Sequence, residues 1–202
     1  MSFLVIDGFC QEIDRVAASA HASGFGTWAP NKGEVGSSIY EGMSFWGEHA
    51  LMIASLMRST GGIVIPNSMF FRVTNVGMER AYIHSDRESG SNTCVAYLTD
   101  HVEDSGTAFF RHKRTGLEAM PSFAELHESG LMDELREDMV SRNPDKWEQL
   151  DYVQGRKNRA LIFSAPLFHS RFPLDGIGAT PDEGRMVWVS HFHKINPAGE
   201  LV

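Results

Sequence analysis

The chain has only two cysteines in 202 residues, Cys10 and Cys94, and their separation matches no metal-binding spacing. Two thiols cannot build a disulfide framework, so a reducing cytoplasm is the expected compartment, with both side chains buried rather than reactive. Long apolar runs are also missing. No window approaches the roughly 18 uninterrupted apolar residues that a membrane span needs. The first residues, Met1 to Asp7, hold a short apolar run with no basic segment before it, so no signal peptide is expected. Positive charge is scarce: 18 basic against 26 acidic side chains give a net charge of −8, which argues against a general nucleic-acid or anionic-membrane binder. Internal repeats and low-complexity linkers are absent.

What is present reads as an ordinary globular chain. Apolar residues at 42% and charged residues at 22% disfavour disorder, and the length suits one domain over 1–202 with a single large core. Phe9, Ile13, Val16, Ala17 and Ala20 recur at helical spacing over residues 9–22, between Asp7 and Gly24. Residues 44–58 repeat the pattern with Phe45, Trp46, Leu51, Met52 and Leu56, and stop at Gly61-Gly62. Beyond residue 61 the period changes. Ile63–Val76, Ala81–His84, Thr93–Leu98, Thr107–His112, Leu150–Gln154, Ala160–Phe168 and Arg185–His193 are short β-branched or aromatic runs between Gly, Asp and Asn turns. Helices first and strands afterwards predict a mainly β, α+β fold: a sheet closed or stacked on itself, with the N-terminal helices packed outside. Residues 121–142 interrupt the strand series as an acidic amphipathic helical insertion with Leu126, Leu131, Leu135 and Met139 as its stripe. Covering a sheet edge is its ordinary role; a mobile lid beside the mouth of the barrel is the alternative.

One constellation points to chemistry. His84 and Asp86 lie two apart, so on an extended strand both side chains face one side. The polar turn Arg87 to Asn92 then frees Asp86 to swing inward. Alone, a His-x-Asp triplet is an ordinary strand end. Far along the chain the apolar run Leu161 to Phe168 delivers His169, on the interior side if the alternation holds through Pro166. Two histidines and one carboxylate are the minimum set that holds a redox-active Fe(II) on one face and leaves the other open. Arg185 heads the last run and shares a face with Val187 and Val189, opposite Met186, Trp188 and Phe192. A guanidinium on a valine face needs an anion or solvent, and a bidentate carboxylate would satisfy it.

His84-Ser85-Asp86, Thr93 to Thr99, Asp104 to Phe110, Arg159 to Phe163 leading to His169, and Gly184-Arg185 together resemble the prolyl-hydroxylase-type branch of the Fe(II)/2-oxoglutarate oxygenases. The likeness covers roughly residues 62–193 in motif order as well as content. Uncharacterised bacterial members of that superfamily carry a strand similar to Gly106–His112. The resemblance implies a double-stranded β-helix (a jelly roll, or cupin-like barrel). It implies His84, Asp86 and His169 as iron ligands, Arg185 as the anchor for the distal carboxylate of 2-oxoglutarate, and Tyr97 as a hydrogen-bond partner of the same group. It further implies a dioxygenase, hydroxylase-type, that couples O2 and the decarboxylation of 2-oxoglutarate to succinate and CO2 with oxidation of a small-molecule or peptide substrate. The carboxylate ligand favours oxidation over halogenation, since the family's halogenating members lack it.

Two departures from the family pattern stand out. The interval from His169 to Arg185 is long, with Leu174 to Glu183 as an inserted loop, and it leaves Arg171 as a rival anchor. Val187 occupies the position where a small hydroxylated residue is common. Other features have plainer readings. The basic run Arg111-His112-Lys113-Arg114 offers a patch for an anionic substrate or acidic peptide, although such a run is more often a solvated strand end. His191 and His193 are rival ligands by spacing, but core or rim residues by default. Two other classes keep the same residues: a zinc-dependent hydrolase using the three ligands and an activated water, and a non-catalytic carboxylate-binding barrel. Loops 31–43, 113–147 and 174–183 are expected to decide the substrate.

Overall fold

A computed structural model describes residues 2–22, 26–27, 38–40, 46–74, 76, 83–100, 105–141, 143–180, 182–196 and 198–201. The strand expected over 81–84 lies outside these apart from its last two residues, and the loop 31–43 apart from 38–40. The strands are β1 (Phe3–Asp7), β2 (Gly26–Thr27), β3 (Ser38–Tyr40), β4 (Ile63–Thr74), β5 (Asn92–Tyr97), β6 (Gly106–His112), β7 (Trp147–Gln154), β8 (Arg159–Ser164), β9 (His169–Phe172) and β10 (Arg185–Ile195). The helices are α1 (Ile13–Ala22), α2 (Trp46–Thr60), α3 (Phe123–Ser129) and α4 (Met132–Ser141). The fold is mainly β. A seven-stranded sheet runs β1-β8-β5-β10-β4-β3-β2 and a three-stranded sheet runs β7-β6-β9. Every strand pairing among the described residues is antiparallel.

Strand alternation sorts the apolar residues into layers. Cys94, Ala96, Ala160, Ile162, Met186, Trp188 and Phe192 point outward from the large sheet and meet α1 and α2 through Ile13, Val16, Ala20, Met52 and Leu56. Trp188 Nε1 donates to His49 Nδ1 on α2 (2.9 Å), which satisfies the one polar atom of a fully buried indole. Val95, Tyr97, Leu161, Phe163, Val187 and Val189 point the other way and pack with Phe109 and Val153 of the small sheet. The face parity predicted for the last strand is therefore the observed one.

The small sheet is covered in turn. Ala108, Phe110, Trp147 and Phe168 meet Leu126 and Leu135 of α3 and α4. The expected single helix over 121–142 is two helices, broken where Gly130 adopts φ 67°, a left-handed conformation suited to glycine. A capping box between Ser122 and Glu125 sets the start of α3. The pair lies on the face of the small sheet rather than along an edge.

Two segments differ from expectation. The run Ala160–Phe168 is not one strand: β8 ends at Ser164, the chain turns through Ala165-Pro166, and β9 begins at His169 in the other sheet. Pro166 has no N–H to extend a ladder, so the break falls there. Conversely, Phe3–Asp7, read only as a short apolar run, forms β1 and pairs with β8 from Phe3↔Phe163 to Asp7↔Arg159. No helix among the described residues is long and apolar enough to cross a membrane. Both cysteines are buried, and burial pushes the Cys94 thiol up, away from the reactive thiolate.

Candidate metal centre

The turn through Pro166 brings His169 beside His84. The two residues exchange backbone hydrogen bonds, His84 N to His169 O (3.0 Å) and His169 N to His84 O (2.9 Å), as an isolated antiparallel bridge. Their rings lie 4.5 Å apart. Asp86 N donates to Ala165 O at 2.9 Å, and Ser89 N closes a single 3₁₀ turn on Asp86 O at 2.8 Å. That turn directs the Asp86 carboxylate at both imidazoles: His84 Nε2 is 3.4 Å from Oδ1 and His169 Nε2 is 3.2 Å from Oδ2. Ligand atoms of His84, Asp86 and His169 all lie within 4.8 Å of one another.

The tautomer of His169 carries information. Its Nδ1 lies 2.9 Å from Leu167 O, and a carbonyl can only accept, so Nδ1 holds the ring proton. That leaves Nε2, which faces the Asp86 carboxylate, as the ring nitrogen available to a metal. Metal-ligating histidines are fixed in this way, with the outer N–H on a backbone carbonyl. Burial pushes the Asp86 carboxyl up, but the facing His169 charge and hydrogen bonds from His169, His191 and His84 outweigh it. They hold the group well below the usual carboxylate range, as an anion. The donor set thus fits a divalent transition metal that accepts imidazole and carboxylate.

Deeper between the sheets, Arg185 is buried at the start of β10, and its Nε has no hydrogen-bond partner among the described residues. Its guanidinium carbon lies 5.1 Å from the centre of the Tyr97 ring, and Nη2 makes a long 3.4 Å bond to Thr107 Oγ1. Tyr97 is 1% exposed and its hydroxyl meets the same Thr107 oxygen at 2.8 Å. A Cβ on Gly155 would stand 2.7 Å from the Tyr97 ring, so the glycine is what lets this ring lie flat under the arginine. Burial lowers the Arg185 pKa, an effect Tyr97 opposes and the like charge of Arg72 reinforces. Arg171, the rival, has Nε and Nη2 bonded to Leu174 O at 3.2 and 3.0 Å, at the foot of the inserted loop.

Thr93 and Thr107 were not singled out by the sequence, and His191 only as a rival ligand. Thr93 Oγ1 donates to Asp86 Oδ2 at 2.9 Å, and His191 Nε2 approaches the same oxygen at 3.2 Å. Thr107 joins Tyr97 to Arg185. Face parity put His191 with Arg185, but only the pairing of β10 with β5, which sets His191 opposite Thr93, brings it to Asp86. His193 stays at the rim, bonded to Ser91 Oγ (2.7 Å) and Asn67 Nδ2 (3.1 Å).

The basic run is mostly spoken for. Arg111 pairs with Glu118 (2.7 Å) and Glu148 (3.3 Å), Arg114 pairs with Glu134, and His112 is buried on Asp138 (2.9 Å). His112, Glu134 and Asp138 form a second group with metal-like spacing. Its carboxylates already face Arg114 and Lys146, so it serves to pin α4 to the small sheet.

This fold is shared with non-haem 2-oxoglutarate-dependent enzymes. The structure of SnoN, a non-haem α-ketoglutarate-dependent epimerase from nogalamycin biosynthesis, aligns over 94% of this chain and 77% of its own, with TM-score 0.59 at 16% identity. SnoK, a carbocyclase from the same biosynthesis, gives 94%, 78%, TM-score 0.56 and 16%. HygX from Streptomyces hygroscopicus, with nickel and 2-oxoglutarate bound, gives 94%, 82%, TM-score 0.54 and 15%. The chain itself belongs to DUF6445, a family of unknown function, whose profile matches residues 74–192. No curated protein matches it.

Proposed function

We propose that this chain is a non-haem Fe(II)- and 2-oxoglutarate-dependent oxidoreductase, of the hydroxylase type, built on a double-stranded β-helix. The observation that carries the reading is the pairing of two complementary donor sets inside one sandwich. A two-histidine, one-carboxylate cluster calls for a cation, and a buried guanidinium calls for an anion. Iron with 2-oxoglutarate would satisfy both at once.

His84, Asp86 and His169 would hold the metal, and Arg185 would take the distal carboxylate of the co-substrate with Tyr97 and Thr107 beside it. Bound iron and 2-oxoglutarate supply the oxidising chemistry with O2, yielding succinate, CO2 and an oxidised substrate. The protein's own work is placement. The Leu167 carbonyl keeps the His169 proton on the far nitrogen, Thr93 and His191 hold one oxygen of Asp86, and Phe109 and Phe163 wall the His169 ring at 6.5 and 4.6 Å. Those aromatic walls limit water around the reacting centre. The prime substrate is a small molecule or peptide met at the open side of the cluster. The three fold neighbours include a carbocyclase and an epimerase, so hydroxylation is the simplest member of a set of C–H oxidations this scaffold supports.

The test is an anaerobic titration. Adding Fe(II) and then 2-oxoglutarate to the protein should produce a visible charge-transfer band, and admitting O2 should release succinate. Stoichiometric zinc retained after anaerobic, iron-replete preparation, with no band on adding iron, would sink the proposal in favour of a zinc hydrolase.

A further inference from the structure

We infer that His191 is a positioning residue for the metal-binding carboxylate: it holds Asp86 Oδ2 so that Oδ1 is presented to the metal. This rests on the metal centre proposed above. The register makes the case first. His191 on β10 lies directly opposite Ser68 on β4 and Thr93 on β5, so one row across three neighbouring strands faces Asp86. Thr93 Oγ1 and His191 Nε2 both reach Asp86 Oδ2, at 2.9 and 3.2 Å, while the far nitrogen of His191 meets Ser68 Oγ at 2.6 Å.

The proton count then separates His191 from a metal ligand. His169 donates Nδ1–H to a backbone carbonyl, so its inner nitrogen is the one available to a metal. The far nitrogen of His191 faces a hydroxyl, which can donate to it and leave the ring proton on Nε2, directed at Asp86. His191 therefore acts as a donor to the carboxylate where His169 offers a nitrogen to the metal. It also stands outside the cluster whose ligand atoms lie within 4.8 Å of one another. Two donors on Oδ2 leave Oδ1, which faces the ligand His84 at 3.4 Å, as the oxygen for the metal, which favours single-oxygen coordination and leaves room on the metal for co-substrate. Ser68 and the Phe70 ring, 6.0 Å from the imidazole, fix the ring's rotation. Outer partners of this kind hold a ligand in its productive orientation.

Mn(II) affinity of the metal-free protein, followed by electron paramagnetic resonance, tests this independently of turnover. His191→Phe keeps a flat ring and removes the donor; it should weaken Mn(II) binding by about 10–100-fold, the usual effect of losing an outer partner. His191→Gln, whose amide nitrogen reaches the Nε2 position, should recover most of that loss, whereas a lost ligand would not be rescued by an amide. Ser68→Ala should give a smaller loss in the same direction, and it carries the decision if His191→Phe does not fold. Wild-type affinity in folded His191→Phe, or an equal loss in the Phe and Gln variants, overturns the inference. Failure of the wild type to bind Mn(II) at all overturns the metal centre instead.

Discussion

The space between the two sheets has two unlike ends. At one, three side chains converge on a single oxygen of Asp86: Thr93, His169 and His191. At the other, Arg185 is buried with its Nε lacking any described partner, a 3.4 Å bond to Thr107 and the Tyr97 ring beside it. One end is over-determined before any ligand arrives; the other is incomplete without one. The contrast teaches that hydrogen bonds are concentrated where direction matters, as a metal with fixed geometry would need. Arg185 keeps fewer described partners, as suits a charge that a flexible co-substrate would complete.

The strongest way to break the comparison is at the metal end. Asp86→Ala should remove Mn(II) binding beyond the loss seen in any outer-partner variant and bring succinate release below detection. The fold should survive, because Asp86 N keeps its bond to Ala165 O. Turnover persisting in this variant would end the ligand assignment.

The deep end gives a double signature. Arg185→Met should weaken 2-oxoglutarate binding on the order of 10²-fold, as expected when one side of a buried charge pair is removed. The ligand-free variant should be at least as stable as the wild type in thermal denaturation, since a buried cation with no carboxylate partner among the described residues is gone. Arg171→Met should leave co-substrate affinity unchanged. The reverse pattern would move the anchor to Arg171.

A third variant asks whether the insertion belongs to either end. Leu135→Ala, fully buried on α4, should cost about 2–3 kcal/mol, the low end for a buried leucine because Leu131 and Met139 beside it are only partly buried. Metal and 2-oxoglutarate affinities should not change, as α4 packs on the outer face of the small sheet. Altered affinities would make the insertion part of the site.

The smallest effect lies outside both ends. Arg159 makes a two-pronged contact with Asp7 (2.6 and 2.9 Å) that ties β1 to β8. The hydrogen bond from Arg159 lowers the Asp7 pKa. A depressed carboxyl adds stability above its unfolded pKa, and that contribution is lost as pH falls through the lower folded value. Asp7→Asn should therefore cost no more than about 1 kcal/mol at pH 7, because the pair is exposed. The gap to wild type should close as the solution is acidified through and below the ordinary aspartate range near pH 4.

Much of this was legible in the sequence because it depends on period. Alternation along Arg185 to Phe192 predicts which residues face each way, and the helical spacing of Ile13, Val16 and Ala20 finds α1. His84, Asp86 and His169 are legible because they end runs and share chemistry. What escaped is what depends on pairing. β1 has only five residues and no strong pattern, so its strand character comes from β8 beside it. Thr93, Ser68 and His191 meet at Asp86 through strand register, which no single run encodes. The break at Pro166 was visible as a warning, but not the change of sheet that it permits.

The mutual backbone bridge between His84 and His169 has a consequence beyond catalysis. It is the point where two segments far apart in the chain are stitched by a reciprocal pair of hydrogen bonds. A cation shared by those same two side chains would act there as a reversible cross-link, closing a long loop much as a disulfide does in proteins rich in cysteine. In a chain whose two thiols are buried, such a cation would serve as the clasp between these two segments.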